Sequence, residues 1–145
     1  MATFDEVLVA QLKKNEKVLA TCKAPFVYHL EVFQKSDSLD RYPCVVYQLI
    51  SDTQEKELGQ GSGVWNAIYE VTCLSKKSSD IRKLAASLVD IGSDDNNDAV
   101  YAEHPNVVWI EVEEDSDLNE FALEQQEKGI RSSVLTISIA HRGKL

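Results

Sequence analysis

The chain has 145 residues, 43% of them hydrophobic, and 24 acidic against 15 basic side chains give a formal net charge of −9. That size suits one compact domain spanning 1–145 around a single core. The acidic excess opposes gripping a nucleic-acid backbone, because such affinity comes from Lys and Arg neutralising phosphates.

The first segment, MATFDEVLVAQL, is acidic where a signal peptide is basic and lacks the uninterrupted apolar stretch of one, which predicts a cytoplasmic protein. Thr3 and Glu6 are spaced as a capping box. Phe4, Val7, Leu8, Leu12, Val18 and Leu19 then recur at helical spacing, with Lys13, Lys14 and Lys17 outward, so a helix is expected to about Thr21. Pro25 prevents its continuation. FVYHLEVF, residues 26–33, predicts a first strand or extended arm.

YPCVVYQLI, residues 42–50, is too short for a bilayer span, which needs about 18 apolar residues. An apolar run of this length, bounded by Pro43 and by polar residues, predicts a strand buried on both faces, and therefore a sheet covered on two sides. SDTQEKELGQGSG and VWNAIYEVTCL follow. They predict a long hairpin whose flexible tip carries Gly59, Gly61 and Gly63. Trp65, Ala67, Tyr69, Val71 and Cys73 alternate with Asn66, Ile68, Glu70 and Thr72 as the period-two pattern of a strand. The glycines do not form a phosphate loop, which requires Gly-Lys-Ser/Thr opening a helix.

A second helix, capped by Ser78 or Ser79, carries Ile81, Leu84, Ala85, Leu88 and Val89 as one stripe and is closed by Gly92. Residues 93–105 form a polar loop in this reading. Asp94, Asn96 and Asp98 mimic the first ligands of a calcium loop, but Ala99 stands where that loop needs Gly, and Pro105 where it needs Glu. NVVWIEVEED, from Asn106, predicts a strand with Val108, Ile110 and Val112 inward and Val107, Trp109, Glu111 and Glu113 on the other side. DLNEFALEQQEKG fits either a helix capped through Asp117 and Glu120 and stopped by Gly129, or an irregular extended arm. SVLTISIAH predicts a last strand with Leu135, Ile137 and Ile139 inward and Thr136 and Ser138 outward. The expected class is α+β: a mostly antiparallel sheet of about four to five strands with two main helices packed on it.

Between Lys83 and Lys128 there is no Lys or Arg, while acidic residues from Asp90 to Glu127 crowd the interval. One face or edge must be strongly negative, either as a solvated surface or as an interface for a basic partner. His29, His104 and His141 are scattered, with no metalloprotease or nucleophile-elbow motif. His104, before Pro105 in acidic surroundings, is the one histidine that stands out. Glu113, Glu114 and Asp115 are consecutive strand residues, so they point to opposite faces and make no acid/base pair. Trp65 and Trp109 fit core positions. Cys22, Cys44 and Cys73 have neither disulfide nor zinc spacing and fit buried small hydrophobes. No catalytic, cofactor or metal site is expected.

Taken together, the N-terminal helix, the Tyr42–Gln48 strand with its aromatic-Pro-x-Val-Val-Tyr-Gln pattern, the Gly-rich hairpin, the Trp65–Cys73 strand, the helix containing IRKLAASLVDI and the final alternating strand resemble the tail-completion proteins of long-tailed bacteriophages. That family is related to the tail terminators, and the resemblance covers residues 4–142. It implies a non-enzymatic structural protein of phage or prophage, forming a ring, commonly a hexamer, where the tail tube meets the head connector. The implied partners are further copies of itself and the tail-tube and head-connector proteins, with no sequence-specific nucleic acid and no membrane; the implied location is the bacterial cytoplasm and then the virion. On this reading the hairpin residues Glu57, Leu58, Gly59, Gly61 and Gly63 touch a neighbouring subunit. Asp94, Asp95 and Asp98, or Glu113, Glu114 and Asp115, face a lumen and repel DNA phosphates, or face a partner. The rival readings are a small acidic adaptor or inhibitor that docks a basic protein and an enzyme built around His104 and carboxylates.

Overall fold

The computed structural model describes residues 4–14, 27–34, 42–57, 60–115 and 117–142. In chain order these form α1 (Phe4–Lys14), β1 (Val27–His29), α2 (Leu30–Gln34), β2 (Cys44–Glu57), β3 (Gln60–Ser75), α3 (Ser78–Val89), a 3-10 turn (Asp90–Gly92), α4 (Asp94–Glu103), β4 (Val107–Glu114), α5 (Glu120–Glu127) and β5 (Arg131–His141). The strands make one sheet in the order β1-β2-β3-β5-β4, parallel between β1 and β2 and antiparallel elsewhere. The class is α+β with a mostly antiparallel sheet.

Strand alternation sorts the sheet into two unlike faces. On the first, Tyr69, Val71 and Cys73 of β3, Leu135, Ile137 and Ile139 of β5 and Ile110 of β4 pack against Val7, Leu8 and Leu12 of α1, Leu84 and Leu88 of α3, and Val100 of α4. Each fully buried Leu or Ile there contributes about 1.5–3 kcal/mol relative to exposure. The second face is covered at one end, where α2 and α5 close over Cys44, Val46 and Leu74 with Phe33 and Ile130. The Phe33 ring meets Phe121, Tyr28 and Tyr42 edge-on at centroid distances of 5.5, 5.9 and 6.2 Å, the offset geometry that aromatic quadrupoles favour. Beyond this lid the second face is open among the described residues, its side chains half-buried or exposed.

Several expectations are corrected. Residues 26–33 do not run as one extended arm: β1 ends at His29 and Leu30 opens α2, whose Glu31 N–H bonds the His29 ring at Nδ1, 3.2 Å away. YPCVVYQLI is doubly buried only in its first half. Cys44, Val45 and Val46 are buried, whereas Gln48, Leu49 and Ile50 are exposed, because β1 pairs only as far as Tyr47 and the strand then leaves the core. Neither Ser78 nor Ser79 caps α3; Ser75 performs the equivalent role from outside, its Oγ accepting from the Lys77 N–H and donating to Asp80. Val89 is exposed, lying off the Leu84–Leu88 stripe.

The 93–105 stretch is a helix. Ser93 caps α4 by accepting from the Asn96 N–H, and Asp94 and Asp95 lie in the first turn, where the helix dipole favours negative charge. The helix is anchored by Asn97, a buried amide that accepts from the Ile110 N–H at 2.6 Å and donates to the Ile110 carbonyl at 3.0 Å. On β4, Val107 is buried in place of Val108, since the register against β5 shifts between Val107 and Trp109. The open alternative at 117–129 resolves as α5, capped by Asn119 (accepting from the Ala122 N–H) and ended by Gly129 at φ +82°. Thr3 and residues 15–21 of the expected first helix lie outside the described residues, as does Cys22.

Candidate functional site

Along β2 and β3 the hairpin changes character. At its base, β2 has β1 on one side, and β3 has β5 on the other from Ser75 back to Trp65. β1 reaches no further than Tyr47, and β5 no further than Trp65. Among the described residues the rest of the hairpin has only its own two strands, so it is a two-stranded arm, a unit that is marginal by itself in water. Its pairing slips between Gln54 and Lys56, and Gly63, at φ +78°, supplies the left-handed backbone on the facing strand, the condition for a bulge that bends the arm.

At the root of the arm Asp52 and His141 meet across β3. Asp52 is paired with Ala67 and His141 with Trp65, so the two side chains meet diagonally across β3, and His141 Nε2 is 2.8 Å from Asp52 Oδ1. His141 is buried and Asp52 is partly exposed, so this contact ties the end of β5 to the strand that leaves the core. The pair is 89 residues apart in sequence and depends on the strand order, which is why no spacing could reveal it.

The open face is floored by half-buried Ile68 and Ala140 and carries an exposed Trp109, with Glu111 and Glu113 following on β4. In register these side chains are paired with Ser138 and Thr136 of β5. Trp109 is 42% exposed, so it is a surface aromatic and not the core residue expected. Where the open face meets the lid, a narrow groove runs between Leu30 and Phe121, and Glu70 in its floor accepts from Asn119 Nδ2 at 2.8 Å.

The two acidic sets do not share a surface. Asp94, Asp95 and Asp98 are exposed on α4, which packs on the covered face, whereas Glu113 belongs to the open one. Glu114 is exposed opposite Leu135. Asp115 has local work, accepting from the Thr136 hydroxyl at 2.9 and 3.1 Å while its N–H bonds the Val134 carbonyl. Of the hairpin residues, Glu57 and Gly61 lie within the strands and Gly63 at the bulge, so Gly61 and Gly63 are not the tip; Leu58 and Gly59 lie outside the described residues.

His104 is the C-cap of α4, its Nε2 3.8 Å from Glu103. Cys44 and Cys73 are buried. Among the described residues, no group of three or more His, Cys, Asp or Glu is placed to hold a metal ion, and no helix is long and apolar enough to cross a membrane. No family model and no curated protein sequence matches the chain.

Proposed function

We propose that the chain is a structural tail-completion subunit of a long-tailed phage or prophage, which forms a ring at the end of the tail tube and joins it to the head connector, without enzymatic activity. The observation that carries this reading is the two-stranded arm, rooted by the Asp52–His141 contact and unflanked beyond it among the described residues. A strand pair without neighbours gains most of its order from a surface outside its own fold. The sequence resemblance over residues 4–142 supports the same reading, as does a mostly antiparallel sheet whose second face is, among the described residues, covered only at one end. In this reading the protein acts in the bacterial cytoplasm and ends in the virion.

Tails assembled without this protein, mixed with DNA-filled heads and the purified chain, provide the test. Electron microscopy should show head–tail joining that depends on the added chain, and joining that proceeds equally without it would refute the proposal. Since Asp94, Asp95 and Asp98 lie on the other side of the sheet from Glu113, reversing those three and reversing Glu113 alone tell the two sides apart; reversal on a side that faces DNA impairs genome passage and leaves the fold intact. The acidic open face with its exposed Trp109 also favours the second reading, an adaptor for a basic protein. That reading predicts a monomer or dimer that binds its partner with strong salt dependence.

A further inference from the structure

Resting on the assembly reading, we propose that copies join head to tail, the open sheet face of one receiving the outer surface of α3 of the next. The occupant of the open face is thus a second copy of this chain.

The two surfaces are opposites in charge and alike in apolar content. The open face offers Ile68, Ala140 and the exposed Trp109 beside Glu111 and Glu113, and none of the described strand residues on its open part is a Lys or Arg. The outer surface of α3 offers exposed Arg82 and Lys83 beside exposed Ala86 and Val89, with exposed Lys76 and Lys77 just before the helix. An acidic sheet with an aromatic at its edge therefore meets a basic helix with a small apolar stripe. Arg and Lys against Glu, with Trp109 available to a cation, combine charge pairing with a cation–π contact.

Topology makes this contact directional. α3 is fixed to the covered face through Leu84, Ala85 and Leu88, so its outer surface points away from the sheet, on the opposite side of the molecule from the open face. One molecule cannot bring the two together within itself. A two-fold pair through the open face would bring two acidic faces together, where like charges repel. Successive head-to-tail contacts remain, and these give a ring when the rotation per step closes.

The experiment is a charge swap, read by sedimentation velocity over a concentration series at low and moderate salt. Glu111→Lys with Glu113→Lys, and separately Arg82→Glu with Lys83→Glu, should each weaken self-association by at least about tenfold, and mixing the two doubly substituted chains should restore a mixed species in which the two chains alternate, because both contacts between unlike chains again set opposite charges together. Circular dichroism and urea unfolding, unchanged in both variants because all four positions are exposed, exclude misfolding as the cause. Wild-type assembly that survives both swaps, or a loss that the mixture does not recover, overturns this contact and leaves the ring reading standing on another surface. A wild-type chain that stays monomeric under every condition overturns the contact and counts against the ring together with it.

Discussion

Strand β5 turns Leu135, Ile137 and Ile139 into a layer sealed by three helices, while Thr136, Ser138 and Ala140, the alternate residues, lie half-buried on the face that these helices do not cover. The same contrast holds on β4, where Ile110 is buried and its neighbours Trp109 and Glu111 are exposed. Because alternate residues of one strand answer to different surroundings, stability and assembly can be separated by substituting neighbouring positions. The covered face holds the fold, and the proposed contact with a second copy uses the other.

The contrast predicts a graded series. Ile137→Ala removes a side chain with 0% exposure beneath the helices and should lower unfolding free energy by about 2–5 kcal/mol, measured by urea denaturation. Next is Asn97→Ala. It strands the buried Ile110 N–H and carbonyl and frees α4 from β4, an expected loss of about 1–3 kcal/mol by the same assay. On the lid of the second face, Asn119→Ala removes the cap of α5 and its bond to Glu70 and should cost about 1 kcal/mol. Trp109→Ala, on the open face, should change stability by no more than about 0.5 kcal/mol while abolishing self-association. Stability losses of equal size at Ile137 and Trp109 would erase the distinction between the faces.

Much of the covered face was legible in the sequence, since periodicity marks residues that one layer of helices must bury. Val7, Leu8, Leu12, Leu84, Leu88, Leu135, Ile137 and Ile139 all follow from spacing alone. Spacing misled wherever a local bond or a bulge intervened. The polar run SDDNNDA looked like a loop because its helix is specified by a serine cap, a favourable dipole and one buried asparagine, none of which adds hydrophobic period. The extra residue near Val108 moved the inward valine by one position. Ile50 and Leu49 looked like core because composition cannot say where a neighbouring strand stops. Of the candidate surfaces, the hairpin was legible from its glycines and the acidic interval from its charge. The division of that interval between two sides of the sheet, the His141–Asp52 contact and the exposure of Trp109 all required the strand order β1-β2-β3-β5-β4.

Light scattering coupled to size-exclusion chromatography, comparing wild type with Trp109→Ala across a concentration series, tests most directly the claim that the open face exists to bind another copy. A ring-sized species that grows with concentration in the wild type and is missing from a fully folded Trp109→Ala is the predicted result. A wild type that elutes as a monomer at every concentration, or a Trp109→Ala chain that assembles equally well, would contradict it.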